Sequence, residues 1–233
     1  MRLDRFFTTT GSSSRSEASS YIRKGRVSVN GIVVTDPSIH IDPSGDVVCF
    51  DGKAIVYSKY IYIMMNKPSG VVSSTEDGDV TVLDLLPDNL KKVGLFPCGR
   101  LDKDTLGFVL LTNNGKLSHF LLSPKSHVEK TYLFTVKDNL SGSDVCALEN
   151  GVDIGGYITG RCSVKMISPN SGFITLSEGK YHQIKLMMRS VGSAITDLKR
   201  VSFAGIPLDA DLKEGGWRYL SKEEIELLES HYR

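Results

Sequence analysis

This chain has no long apolar run, no paired cysteines and almost no net charge. No segment holds 18 consecutive apolar residues, so no membrane span is predicted. The four cysteines, at positions 49, 98, 146 and 162, form no CxxC pair, so neither a zinc site nor a disulfide framework is expected. The opening residues, Met1–Phe7, are too short and too acidic for a signal peptide, and the cytoplasm is therefore the expected location.

Glycine-rich phosphate-binding motifs are also missing. The sequence has no Walker-type loop and no GxGxxG between a strand and a helix, so no nucleotide cofactor is expected, and no metal either. The length of 233 residues allows one large domain or two modest ones.

The net charge of +1 conceals a basic N-terminal segment. Residues 1–30 carry six basic and two acidic side chains, a net charge of +4, whereas residues 31–60 carry two basic and four acidic ones, a net charge of −2. A small basic element beside a near-neutral chain is typical of a phosphate-binding appendage, although a solvated basic surface produces the same pattern.

Residues 14–34 carry the signals of a capped helix followed by a β-hairpin. Ser14 and Glu17 are spaced as a capping box, and Gly25 supplies a left-handed helix stop. Asn30-Gly31 between two alternating valine-rich runs predicts a type I′ turn. This layout is similar to the S4 domain, a small RNA-binding module. The resemblance implies four contacts with RNA phosphates: Arg5, Arg15, Lys24 and Arg26.

The segment Gly99–Asn113, GRLDKDTLGFVLLTN, resembles the catalytic loop and following strand of pseudouridine synthases, which rearrange a uridine within RNA. The resemblance implies that Asp102 is the essential aspartate. A carboxylate held beside a cation can act as a nucleophile or as a base at the glycosidic carbon. Taken alone, Asp and Gly here are also compatible with a simple turn between two strands.

Two further motifs match the same family. Glu129–Tyr132 resembles its Lys-Thr/Glu-Tyr strand, which implies that Tyr132 lies against the target base; an aromatic ring replaces the stacking that a flipped base loses. Glu178–Met188 resembles the family's segment whose basic residue, here Lys185, pairs with the catalytic aspartate and keeps it ionised. His182 is interpreted as structural or as an RNA contact rather than as a general base.

The resemblance also implies RNA contacts outside the N-terminal module. Lys67 lies in an Asn-Lys-Pro-x-Gly turn, where a structural lysine is equally compatible. The expected RNA-contacting residues of this larger region are Lys67, Arg100, Lys130 and Gln183.

The predicted fold class is α+β. An S4-like module of helices and a β-hairpin, residues 1–56, precedes a catalytic domain, residues 60–233, on a mixed, mainly antiparallel sheet. The linker is expected near residues 56–60. A short helix is predicted over residues 117–122, and Ser221 with Glu224 predicts a capped closing helix.

The segments 206–212 and 217–225 look like the branch of the family that modifies 16S ribosomal RNA. The expected function is therefore isomerisation of a 16S uridine to pseudouridine, initiated by Asp102, by a monomer. The expected partner is ribosomal RNA, naked or within an assembling small subunit. Leu106, Asn114 and Leu186 depart from common family residues and leave other targets open, namely 23S ribosomal RNA or tRNA. A non-catalytic RNA-binding or ribosome-assembly protein on the same fold also stays open.

Overall fold

The computed structural model describes residues 1–55 and 57–232, and the chain divides into two compact units. The N-terminal unit consists of Met1–Ile61 with Leu83–Phe96, and the C-terminal unit of Tyr62–Val82 with Pro97–Arg233. Among the described residues, no helix is both long and apolar enough to cross a membrane.

The N-terminal unit combines short helices with a four-stranded antiparallel sheet of order β2-β1-β3-β4. Its elements are α1 (Leu3–Thr9), α2 (Arg15–Arg23), β1 (Val27–Val29), β2 (Ile32–Val34), β3 (Val48–Phe50), β4 (Lys53–Ile55) and α3 (Asp88–Lys91). The predicted capping box is confirmed, since Ser14 Oγ accepts from the Glu17 amide and the Ser14 amide donates to the Glu17 carboxylate. Phe6, Phe7 and Ile22 are buried in the core of this unit.

The predicted type I′ turn is also confirmed. Asn30 and Gly31 have φ angles of 51° and 81°, the left-handed values that this turn requires at both central positions. A second hairpin, which the sequence analysis missed, turns at Asp51-Gly52 with φ angles of 49° and 77°. The Asp-Gly pair was the available signal for it.

One segment differs from the predicted domain layout. Residues 60–233 were expected to form one continuous domain, but Leu83–Phe96 belongs to the N-terminal unit. Within that unit, the Asn89 amide donates to the Gly11 carbonyl, and Leu86 and Leu90 are buried. The place of this segment in the N-terminal unit depends on tertiary packing, which has no local sequence signal. Of the predicted linker, Val56 lies outside the described residues.

The C-terminal unit is built on a large mixed sheet of order β13-β5-β7-β11-β8-β10-β9, with β12 beside β11 and β6 beside β7. Its elements are β5 (Tyr62–Lys67), β6 (Phe96–Cys98), β7 (Leu106–Thr112), α4 (Gly115–Leu122), β8 (Lys130–Val136), α5 (Gly142–Asn150), β9 (Ser163–Ser168), β10 (Ser171–Leu176), α6 (Gln183–Ser190), β11 (Ile195–Phe203), β12 (Ile206–Pro207), β13 (Trp217–Tyr219) and α7 (Lys222–Ser230).

The predicted α+β class with a mainly antiparallel sheet is confirmed. Along the sheet, β7 and β11 pair in parallel, while β5–β7, β8–β11 and β8–β10 are antiparallel. Helices α4 and α7 are present where the sequence predicted them, capped by the side chains of Asn114 and Ser221. Helix α5 was missed, although Ser141 and Asp144 form a capping box ahead of it.

The parallel contact between β7 and β11 depends on Gly107. A Cβ at this position would lie 2.2 Å from the carbonyl oxygen of Arg200, and φ is +101°. Only glycine tolerates both the close approach and this backbone conformation. Gly107 therefore lets β11 lie directly beside the strand that follows the Asp102 loop, and this fixes the centre of the site.

Candidate active site

A cavity of about 770 Å³ opens on the C-terminal unit around Asp102. Its walls come from the loop 99–104, strand β8, the turn 179–182, helix α6 and strand β11. This volume lies within the usual range of small-ligand pockets, and the lining contains both charged and aromatic side chains. The three motifs singled out in the sequence thus meet around one cavity.

Asp102 and Lys185 form the expected ion pair. The ammonium Nζ of Lys185 lies 2.9 Å from Oδ2 of Asp102, and their side chains are 19% and 27% exposed. The same ammonium also lies 2.6 Å from Oδ1 of Asp104. Partial burial lowers the pKa of Lys185, but the hydrogen bonds to Asp104 and Asp102 outweigh burial and raise it overall. The hydrogen bond from Lys185 lowers the pKa of Asp104. Lys185 is therefore held as a cation between two carboxylates.

The loop that carries Asp102 is fixed by backbone contacts on both sides. The Leu101 amide donates to the hydroxyl of buried Ser73 at 3.2 Å, and the Thr105 amide donates to the Asp102 carbonyl at 3.0 Å. The Gly70 amide donates to the Lys103 carbonyl at 2.8 Å. A carboxylate on a loop held this way needs little reorganisation to act.

Tyr132 and Arg100 both line the cavity but differ in exposure. Tyr132 lies on β8, 9% exposed, and lines the cavity from within. Arg100 lies on the loop before Asp102, where it is exposed and lines the same cavity. The cavity therefore offers a mostly buried aromatic ring and an exposed cation, groups suited to a base flipped out of a charged polymer.

The comparisons with known proteins match both units. The RNA pseudouridylate synthase family matches residues 61–190, which include the whole Asp102 loop and Lys185, and the S4 domain family matches residues 1–48. The chain belongs to the RNA pseudouridylate synthase family. It is accordingly an isomerase that carries an S4 RNA-binding domain.

Relatives extend this match over nearly the whole length of the chain. An uncharacterised RNA pseudouridine synthase of Bacillus subtilis is 44% identical over 98% of both chains. Ribosomal small subunit pseudouridine synthase A of Escherichia coli is 38% identical over 97% of this chain and 98% of its own. A crystal structure of a pseudouridylate synthase superposes with a TM-score of 0.70 at 35% identity, covering 98% of this chain and 99% of that one.

His182 lies closer to Asp102 than the sequence suggested. Its Nε2 is 3.6 Å from Oδ1 of Asp102, and its backbone has a left-handed φ of 49°. Its ring stacks on the exposed ring of Tyr181, with centroids 3.8 Å apart. Strained non-glycine backbone often accompanies a functional constraint.

Lys67 does not face RNA, so the expected phosphate contact is wrong. Its side chain is fully buried, and its ammonium donates to the carbonyls of Pro68, Lys103 and Thr105 at 2.8–3.1 Å. Burial lowers the pKa of Lys67 to about 8. The structural alternative left open by the sequence therefore holds: Lys67 ties the Asp102 loop to strand β5.

Lys130 and Gln183 are buried, so neither side chain is exposed to an RNA backbone, although Lys130 lines the cavity. The Lys130 ammonium donates to the carbonyls of Val128 and Ser177. The Gln183 side chain donates to Glu178 at 2.5 Å and accepts from the Lys180 amide at 2.8 Å, which closes the turn before α6. The resemblance implied RNA contacts for both; strand β8 buries Lys130, and the turn before α6 buries Gln183.

The four candidate cations of the S4 domain are exposed, but they differ in their partners. Arg15 lies 3.1 Å from the buried Asp4 carboxylate. Arg26 pairs with Asp51 and covers the rings of Tyr21 and Phe50. Arg5 and Lys24 are exposed, without a carboxylate within ion-pair distance among the described residues.

Arg200 is a residue that sequence reasoning missed. It lines the cavity from β11 and is 2% exposed. A lone arginine in a strand has no local signal of burial. No group of three or more potential metal-binding side chains occurs in the part of the chain that the structure describes.

Proposed function

We propose that this chain isomerises a specific uridine of 16S ribosomal RNA to pseudouridine, with Asp102 initiating cleavage of the glycosidic bond. The observation that carries the proposal is the Asp102–Lys185 ion pair of 2.9 Å beside Tyr132 in one cavity. A partly desolvated carboxylate with a fixed cation is a competent nucleophile or base.

The flipped uridine enters a cavity that supplies what an unstacked base lacks. The Tyr132 ring offers a stacking surface, and the exposed Arg100 offers a cation for the adjoining phosphate. After the bond between ribose and uracil breaks, the uracil rotates and rejoins the same ribose through carbon.

The choice of small-subunit RNA rests on the relatives. Enzymes named ribosomal small subunit pseudouridine synthase A, from Escherichia coli and Haemophilus influenzae, are 38% and 36% identical over at least 97% of this chain. The S4 domain would add salt-sensitive, largely sequence-independent affinity for the same RNA.

Pseudouridine mapping in a strain lacking this protein tests the proposal. We expect one 16S position to lose its pseudouridine, to regain it with the wild-type chain and to stay unmodified with Asp102→Asn. Removing the reacting group lowers the chemical step rather than ground-state affinity, so the variant should bind RNA nearly as well as wild type while its turnover is undetectable.

The other outcomes are separable. Loss of a pseudouridine in 23S ribosomal RNA or tRNA would contradict the target and leave the reaction standing. Turnover by Asp102→Asn above a few per cent of the wild-type rate would contradict the role of Asp102. Unchanged modification of all RNAs would favour a non-catalytic assembly role.

A further inference from the structure

Arg200 brings a buried positive charge to the cavity that no nearby carboxylate neutralises. Its Nε donates to the Phe108 carbonyl at 2.6 Å, whereas its buried Nη2 has no hydrogen-bond partner. Within the described residues, no carboxylate lies within 4.0 Å of the guanidinium. A buried donor without a partner is destabilising, so such a group in a cavity points to a ligand that accepts its hydrogen bond.

A second buried cation lies nearby. Lys130 is 6% exposed, lines the same cavity, and already donates to two backbone carbonyls. Burial, followed by the neighbouring charge of Arg200, lowers the pKa of Lys130 to about 8, while Cys98 and Glu178 act more weakly in the opposite direction. Two buried positive charges that line one cavity are unfavourable unless an anion binds beside them.

The register of the sheet places Arg200 beside the ring of Tyr132. Arg200 on β11 is the cross-strand partner of Tyr132 on β8, and both are buried. Directly opposite side chains on one face lie about 4.5–5.5 Å apart at Cβ. The Nη1 atom of Arg200 is 3.9 Å from where a Cβ on Gly99 would stand, and Gly99 also lines the cavity. The guanidinium therefore borders the space next to Tyr132.

We propose that Arg200, assisted by Lys130, binds the carbonyl oxygens of the target uracil and stabilises the negative charge that the ring acquires in the reaction. This inference rests on the proposed function. Fixed N–H donors in a water-poor site stabilise developing charge more strongly than they stabilise a neutral ground state.

The charge arises from the rearrangement itself. When the bond between ribose C1′ and uracil N1 breaks, its electron pair stays on the ring and spreads over N1, O2 and O4. C5 then bonds to C1′, C5 loses a proton, and N1 gains one, so the product has the composition of the substrate. Arg200 would act while the ring is detached.

The test compares two target nucleotides in otherwise identical RNA, uridine and 5-fluorouridine. Fluorine withdraws electrons, so the detached 5-fluorouracil anion needs less help from the protein. Single-turnover consumption of the N-linked nucleoside and the Kd for RNA are measured for Arg200→Gln and Arg200→Lys. Lys199→Gln is the matched control, because Lys199 precedes Arg200 on β11 and does not line the cavity.

We expect Arg200→Gln to slow uridine consumption about a hundredfold with little change in Kd. Losses of this size are typical when one hydrogen-bond donor to a developing negative charge is removed. The loss on 5-fluorouridine should be about tenfold smaller. Arg200→Lys should retain more activity than Arg200→Gln, and Lys199→Gln should match wild type on both substrates.

Equal losses on the two nucleotides would overturn the inference, because a displaced substrate slows both reactions alike. Weaker RNA binding at an unchanged rate would also overturn it and assign Arg200 to a phosphate. If Arg200→Gln does not fold, Lys130→Gln provides the same comparison with the guanidinium intact: equal losses there overturn the inference, and a larger loss on uridine supports it. Wild-type protein that forms no pseudouridine would contradict the proposed function instead.

Discussion

The basic side chains of the two units have opposite surroundings. In the N-terminal unit, Arg5 and Lys24 are exposed, and Arg26 pairs with a surface carboxylate. In the C-terminal unit, Lys67 and Arg200 are buried and bonded to backbone carbonyls. The same residue types are thus solvated in one unit and desolvated in the other.

The difference shows that burial, rather than residue type, decides what a cation does. An exposed ion pair contributes about 0–1 kcal/mol and is screened by salt. A buried cation carries a desolvation penalty that only well-placed partners offset. Changes in the C-terminal unit should therefore have large effects on chemistry or stability, and changes in the N-terminal unit small effects on affinity.

Among the basic side chains, the largest effect is expected from Lys185→Met. This variant leaves the partly desolvated Asp102 carboxylate without its cation, and breaking such a pair costs roughly 3–5 kcal/mol. If that cost falls on the transition state, turnover drops roughly 10²- to 5 × 10³-fold. Lys185→Arg keeps the charge and should retain part of the activity. Single-turnover rates on target RNA measure the effect.

Asp104→Asn provides the control for Lys185. It removes the more exposed partner of the ammonium and leaves the Asp102–Lys185 pair in place, so a clearly smaller loss is expected. A wild-type rate in Lys185→Met would show that Lys185 is not the partner that Asp102 needs.

An intermediate effect is expected in the pH dependence of stability. An unfolded lysine keeps its proton to a pKa of about 10.4, whereas native Lys67 has a pKa lowered to about 8 by burial. Between these values the unfolded state binds more protons, so the free energy of unfolding rises with pH. Lys67→Met removes this contribution. Its free energy of unfolding should therefore increase with pH by less than that of wild type, the difference being at most about 3 kcal/mol.

Denaturant titrations from pH 7 to 10.5 check the Lys67 prediction. Lys103→Met is the control, because its exposed ammonium pairs with Asp79 and its backbone carbonyl still accepts from Lys67. Parallel curves of unfolding free energy against pH for wild type and Lys67→Met would mean that Lys67 makes no contribution to the pH dependence in this range.

The smallest effect is expected from single changes in the S4 domain. Arg5→Gln and Lys24→Gln should each reduce the slope of log affinity against log salt by about 0.7, the value for one phosphate contact on single-stranded RNA. Arg26→Gln should change the slope less, because Asp51 already engages its guanidinium. RNA titrations at several salt concentrations decide this, and identical slopes in all variants would place these cations outside the RNA interface.

Single substitutions are preferable to deleting the S4 domain. Leu83–Phe96 belongs to the N-terminal unit, so removing residues 1–56 would strip Asn89 and the buried Leu86 and Leu90 of their surroundings. Weaker RNA binding by the truncated protein could then result from misfolding as well as from lost phosphate contacts.

The sequence by itself determined the local elements and the motif residues. The capping box at Ser14, the turn at Asn30-Gly31 and the closing helix depend on interactions within about four residues, and all three are present. The resemblance around Asp102, Tyr132 and Lys185 named three side chains that the fold brings to one cavity.

Only the tertiary structure decided which charged and polar side chains face solvent. Lysine and glutamine are common on surfaces that bind nucleic acid. Strand pairing and the turn before α6 nevertheless bury Lys67, Lys130 and Gln183. Arg200 gave no sequence signal, because its burial depends on β11 lying against Gly107, 93 residues earlier in the chain. Desolvation is set by what packs around a group from distant segments, and no short sequence window contains that information.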